Sequence, residues 1–336
     1  MMMKLFYCLT LTLLLGSSVL YAQDMVSMSS LHPLAKGNNQ DKDSAQKLFP
    51  QQPVFSITAN QASVRSFHAN TKESPLASGR IHTERLNAYF HTPEINWKGN
   101  SLSGSVGFIF TSFNYEKLTG VGGSLSHNKL NTDKSIFDLA LNYSGTDELF
   151  GHDIVYAAVV RGITDGIHQF RRFNFNGSII WPLMDKKNTH LSAGLLVLID
   201  PSAPVPVEPI FNYYHSFGAS GWTLLVDLPV GIRLKKQITS KAWVSLKSDQ
   251  HSYSVFYDND HPFIDGKFSF NTIELKNGLS FEYLVSPKIL TSIEGGLQKD
   301  LSARFFKDGG SFHEAAIKSK RAAAPYVSLS LSLLSF

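Results

Sequence analysis

The chain has 336 residues, a formal charge of +4 and a single cysteine. Charge this weak and this dispersed excludes a basic nucleic-acid surface. A mean hydropathy of -0.07 excludes a helical membrane bundle, and no segment after Ala22 is apolar over the roughly 20 residues that a spanning helix needs.

At the N-terminus, Lys4 precedes an apolar run from Leu5 to Leu15. Small residues follow, then Val19-Leu20-Tyr21-Ala22-Gln23. The run is too short to span a bilayer and carries the features of a secretory signal cleaved near Ala22. Residues 1–22 are therefore expected to direct the chain out of the cytoplasm. Cys8 lies inside that run, so the mature chain has no thiol for disulfides, nucleophilic catalysis or metal binding. Residues 23–79 are rich in Ser, Asn, Gln and Lys and show neither helical nor strand period. They read as a flexible periplasmic segment, with a short strand at most near Val54 to Ile57.

From Arg80 the texture changes to alternating runs. An early strand falls around Leu86 to Phe90. Leu102, Val106, Phe108 and Phe110 share one face, as do Phe137, Leu139, Leu141 and Tyr143, then Ile154, Tyr156, Ala158 and Val160. Phe173, Phe175, Ile179 and Trp181 pass through Asp185-Lys186-Lys187-Asn188 to Leu191, Ala193, Leu195, Val197 and Ile199, the pattern of a hairpin. Val207, Phe211 and Tyr213 lead to a run from Trp222 to Leu234. That run contains Pro229, which cannot donate to a ladder and demands a bulge or a break. Ala242 opens a strand reaching Tyr257, a polar loop spans Asp258 to Gly266, and Ile273 to Val285 keep one parity. Ser286-Pro287-Lys288 is a tight turn, Ile289, Ile293 and Leu297 follow, and a charged loop runs from Asp300 to about Arg321. The chain closes on Val327, Leu329, Leu331 and Leu333 alternating with serines, and its last residue is Phe336. Leu334 and Phe336 fall on the serine parity, which calls for a bulge near Leu334 and Ser335.

Several runs hold parity for about ten residues, the length of a tilted membrane-spanning strand. Long and short connections alternate as they do between the two rims of a membrane barrel. The reading is an all-β, transmembrane, antiparallel up-and-down barrel over 80–336, with about 12 strands, or 14 if Pro229 divides its run. A soluble sandwich or lipocalin-like barrel alternates too, but its strands are typically about five or six residues long.

Two resemblances accompany this reading. The terminal strand ending in Phe336 resembles the closing strand that outer-membrane barrels present to their assembly machinery. The stretch Gly194 to Tyr257, with Pro204-Val205-Pro206, Phe211-Asn212-Tyr213-Tyr214, Trp222 and Leu228-Pro229, resembles a family of outer-membrane β-barrel proteins of unknown function. Glu274-Leu275, Gly278-Leu279 and Glu282-Tyr283 extend that similarity, which covers roughly Arg80 to Phe336. It implies outer-membrane lipids and the barrel-assembly machinery as partners, and it brings no catalytic residues with it.

Opposite the apolar stripes, the candidate lumen-lining residues are Asp138, Arg172, Asp227, Arg233, Lys247, Asp249, Glu274, Lys276, Glu282 and Glu294. Interspersed signs pair across a narrow interior, whereas a strongly selective pore favours one sign. His190 and Ser192 have the two-residue spacing of outer-membrane phospholipases, yet their parity faces the lumen and not lipid. Asp258, Asp260 and His261 are the nearest approach to a metal cluster and read as a solvated turn. No catalytic residue, cofactor or metal is expected. The favoured function is passive passage of small solutes by a non-enzyme; the alternative is a closed structural or surface-binding barrel acting through its outer loops, and a phospholipase ranks below both.

Overall fold

A computed structural model describes residues 53–120, 126–166, 170–200, 203–307 and 310–334. The expected signal, residues 23–52 and Phe336 lie outside these residues. The strands are β1 (Phe55–Thr71), β2 (Pro75–His91), β3 (Ile95–Trp97), β4 (Asn100–Gly120), β5 (Ser126–Leu149), β6 (His152–Thr164), β7 (Phe170–Lys186) and β8 (Thr189–Ile199). They continue as β9 (Val207–Ser216), β10 (Trp222–Leu228), β11 (Gly231–Thr239), β12 (Ala242–Asp258), β13 (Lys267–Ser286), β14 (Ile289–Lys307), β15 (Ile317–Arg321) and β16 (Ala324–Leu333).

Every pairing is antiparallel, and the sheet closes on itself because β1 pairs with β16 as well as with β2. β3 is a short arm on β4. β15 and β16 share one place in the wall, both lying between β14 and β1. The ring therefore has fourteen strand positions among the described residues. This is the larger of the two expected counts. Pro229 does divide its run, because β10 and β11 turn back on each other with Asp227 opposite Gly231.

The other added strand is β1, where a flexible segment is expected. Arg80 is not the start of the barrel: the wall begins at Phe55, and β2 begins at Pro75. β1 escapes a search for apolar alternation because its outward residues near the end of the chain's wall are few and small. Ile57 and Ala59 stand opposite Leu331 and Leu329, which supply the bulk.

Alternation puts one parity of each strand outside. Leu139, Leu141, Val160, Phe173, Leu195, Val197, Leu279, Phe281, Ile293, Leu297, Leu329 and Leu331 are all exposed. In water so continuous an apolar surface is untenable; in lipid it is the belt of a transmembrane barrel. Trp97, Tyr143 and Tyr156 edge one rim, where both tyrosine hydroxyls donate to Asn100 Oδ1 at 3.0 and 2.7 Å. Such amphipathic rings suit a bilayer interface. At this same rim lie the tight turns 150–151, 187–188, 240–241 and 287–288, together with Phe55 and Leu333, which pair with each other. Leu334 turns inward instead of bulging, and packs with Trp243, Leu284 and Leu290.

The described residues of the longer connections, 203–206, 259–266 and 310–316, lie at the opposite rim. The expected charged loop 300–321 is largely strand: β14 extends to Lys307, and β15 re-enters the wall at Ile317.

Candidate functional site

The interior has two parts, an ionic lattice and an apolar plug. The lattice is built from side chains opposite the lipid stripes. Arg65 on β1 donates to both oxygens of Asp300 on β14, at 2.7 and 3.3 Å, and Arg321 on β15 reaches the same carboxylate at 3.3 Å. All three side chains are almost wholly buried. Arg85 on β2 grips Glu274 on β13 at 3.2 and 3.3 Å while its guanidinium lies 3.6 Å above the Tyr253 ring. Arg161 on β6 makes a two-pronged contact with Asp138 on β5.

Arg233 and Lys247 share Asp249, at 3.3 and 3.2 Å. Lys247 also pairs with Glu294, which accepts from the Tyr326 hydroxyl. Lys276 sits 5.3 Å from the centre of the Tyr326 ring. Lys235 pairs with Glu282 and stands 5.1 Å above Trp243. Buried charges survive only when paired and hydrogen-bonded, and opposite signs reaching from neighbouring strands or across the lumen meet that condition.

Of the candidate lumen residues, Asp138, Arg233, Lys247, Asp249, Glu274, Lys276, Glu282 and Glu294 fall within this lattice. Asp227 points the same way from β10, and its Oδ1 has no hydrogen-bond partner among the described residues. Arg172 stands apart from it. Arg172, Lys247 and Glu282 do not meet across the interior: Arg172 reaches the far end of β13, while Lys247 pairs with Glu294 and Glu282 with Lys235.

The position of Arg172 exposes a departure from a simple cylinder. It extends from β7 with the lumen parity and donates to Ser269 Oγ at 3.0 Å and to Asn271 Oδ1 at 3.5 Å. Ser269 and Asn271 share the parity of Leu279 and Phe281, which face lipid lower on β13. Leu279 is 60% exposed, whereas Asn271 and Ile273 are 2% and 1% exposed. The outer ends of β12 and β13 are thus tucked inside the ring and covered on both faces.

One face of this tongue presents Tyr253, Val255, Tyr257, Phe268 and Phe270 to Phe67, Ile81, Ile109, Phe113 and Ile136 of β1, β2, β4 and β5. The other places Ile273 and β14 Phe306 in a cluster with Val155, Ile180, Leu196, Leu198 and Ile210 of β6 to β9. β12 touches β5, although the two stand seven steps apart on the fourteen-position ring, with six strand positions between them on either side. The lumen is therefore blocked at the long-loop end by strands of its own wall. The tongue is free to lean inward because β11 pairs with β12 only as far as Gly231 with Asp249.

Ion pairs at the rim hold the tongue to the far wall. Lys134 of β5 binds Asp260, and Arg171 of β7 binds Asp258 at 2.8 and 3.0 Å. Between them His261 turns inward. Its ring lies 4.3 Å from Phe263, 4.5 Å from Tyr257, 4.9 Å from Phe305 and 6.2 Å from Tyr115, centre to centre. Nδ1 accepts from the Phe263 backbone at 3.4 Å, and Nε2 has no partner among the described residues. Burial, reinforced by the positive charges of Arg321 and Lys134, pushes this imidazole down to about 3. Asp258, Asp260 and His261 accordingly serve three different contacts and share no common centre.

His190 and Ser192 project inward at the tight-turn rim. His190 Nδ1 is 2.5 Å from Asp185, and Ser192 accepts from Asn212 at 3.2 Å. Neither faces the lipid belt, where a phospholipase would meet its substrate. The partners that the sequence reading missed are Arg65, Arg85, Arg161, Lys235, Asp300, Arg321 and Tyr326. Parity could have flagged Arg85, next to the outward Leu86, and Arg161, next to Val160. Arg65, Asp300 and Arg321 were hidden because their segments read as flexible or as loop.

No family model matches the chain, and no curated protein matches it by sequence. The solved structures it resembles are outer-membrane β-barrel proteins. An outer membrane channel from Pseudomonas putida F1 is 7% identical, with 83% of this chain and 95% of that one covered and a TM-score of 0.30. A FadL homologue of Pseudomonas aeruginosa is 10% identical, with 83% and 89% covered and a TM-score of 0.27. The outer membrane protease OmpT of Escherichia coli is 9% identical, with 83% and 96% covered and a TM-score of 0.22. At these scores the likeness adds nothing to the barrel established by the strand pairing.

Proposed function

We propose that this is a non-enzymatic barrel of the outer membrane through which small solutes pass when the β12–β13 tongue leaves the lumen. The observation that carries the reading is the contact between β12 and β5 across the ring. The obstruction is made of wall strands, secured at the rim by two ion pairs whose carboxylates, Asp258 and Asp260, are about half exposed. Each pair joins a largely covered cation, Lys134 or Arg171, to a half-exposed carboxylate, so water screens this latch more than it screens the buried lattice below it. Planar-bilayer recording tests the proposal: the wild type should be mostly shut, and Lys134→Ala/Arg171→Ala should open in discrete steps.

A second reading, a closed barrel acting through its outer loops, is favoured by the filling of the lumen with paired charges such as Arg65, Asp300 and Arg321. It predicts no conductance from either protein, and that result would displace the first reading.

A further inference from the structure

β15 divides its charges between the two faces of the wall. Arg321 points in and is buried against Asp300, while Lys318 and Lys320 point out and are exposed. The register builds a basic surface around them. Lys320 stands opposite His68 on β1, and Lys318 stands opposite Arg304 on β14. Exposed Lys299 lies lower on β14, between the lipid-facing Leu297 and Leu301, which are 57% and 41% exposed. Arg80 extends the surface on β2, with Glu116 3.9 Å away as the acidic neighbour. Among the described residues no carboxylate lies within ion-pairing reach of Lys299, Lys318 or Lys320.

Like charges directly opposite one another in a ladder are destabilising. Lys318 nevertheless faces Arg304, whose guanidinium is held 3.8 Å above Phe312 and donates to its carbonyl at 3.2 Å. Arg304 is thus engaged beneath the 310–316 segment, and Lys318 is the one of the two that presents its charge outside the wall. The surface is also continuous with the lipid belt, so the Lys299 stem can lie along hydrocarbon while its ammonium reaches the headgroups.

We propose that the outward face of β14, β15, β1 and β2 binds the phosphate-bearing headgroups of the lipids around the long-loop rim. Leucines of the belt flank the lowest lysine, and the two others rise above it on one strand face, spaced by about 7 Å. That arrangement suits a lipid standing beside the wall better than a soluble polyanion approaching from above. The inference rests on the membrane reading of the barrel, but not on solute passage.

The test uses the full chain inserted into phosphatidylcholine vesicles with or without lipid A, followed by detergent extraction and mass spectrometry of the lipid retained. Wild type should retain lipid A in preference to its dephosphorylated form. Lys299→Gln/Lys318→Gln/Lys320→Gln should lose that retention by about tenfold or more, and the triple Lys→Arg variant should keep it. Equal retention by the Gln variant, or equal retention of dephosphorylated lipid, would overturn the proposal. So would displacement of lipid A by inositol hexakisphosphate at equal phosphate concentration, which would identify a soluble anion as the ligand. Failure of the wild type to insert even into phosphatidylcholine would overturn the membrane reading and this proposal together, whereas insertion without discrimination overturns the proposal alone.

Discussion

Acidification should release the 259–266 connection from the mouth of the barrel. His261 is 6% exposed and docks as the neutral imidazole, with its proton affinity pushed down to about 3. The groups facing it are Tyr115 from β4, Tyr257 from β12, Phe305 from β14, Arg321 from β15 and Lys134 from β5, with Asp260 beside it. A released connection exposes the ring to water, where its ordinary value is about 6.5. Because the docked value is the lower one, docking carries no protonation penalty above about pH 6.5 and weakens as pH falls from there toward 3. At pH 5 the released state has taken up the proton and the docked state has not. The difference of about 1.5 pH units corresponds to on the order of 2 kcal/mol, or about 30-fold in the docking equilibrium. Amide hydrogen exchange over 259–266 at pH 7.5 and pH 5, corrected for intrinsic rates, reads this directly. Wild type should lose protection at pH 5, while His261→Phe, which keeps an aromatic ring in the box, should not. Unchanged protection in the wild type, or an equal loss in His261→Phe, would refute the reasoning.

Three further outcomes follow from the same contacts. Asp300→Asn leaves Arg65 and Arg321 as adjoining buried cations and should cost about 3–5 kcal/mol, measured as a shift in the urea midpoint of the detergent-folded barrel; an unchanged midpoint would remove the lattice as a source of stability. Phe270→Ala, at 0% exposure in the tongue, should cost about 3–5 kcal/mol by leaving a cavity, and should raise bilayer conductance if the tongue is the obstruction. Leu279→Arg places a charge on the lipid face of β13 and should weaken folding into vesicles by about 2–4 kcal/mol if the site is near the midplane, whereas a neutral effect would argue that Leu279 does not meet hydrocarbon.

Much of the wall was legible because lipid imposes a period of two. Runs such as Leu191 to Ile199 and Ile273 to Val285 are marked by parity, and Pro229 announced its own break. β1 was not legible, because its apolar load is carried by the facing residues of β16. The tongue was hidden for a different reason. Ile273 and Leu279 share a parity and look alike in sequence, yet one is buried against β6 to β9 while the other faces lipid. Only the early end of β11 distinguishes them, and that is a long-range property of the sheet. The charges were recognisable as lumenal, but their partners were not. Arg85 meets Glu274 through the closure of the ring, although the two are 189 positions apart in the chain.

The central claim is that the lumen is blocked by strands of its own wall, and a cross-link between opposite sides of the ring tests it most directly. The Lys134 ammonium and the Asp260 carboxylate are in contact, so a zero-length carbodiimide should condense them to an amide with loss of water. In membranes that amide should be found between the two peptides by mass spectrometry, and it should lock the barrel shut. An open cylinder would keep β5 and the end of β12 a barrel's width apart, and the absence of that amide in a folded, inserted protein would contradict the account.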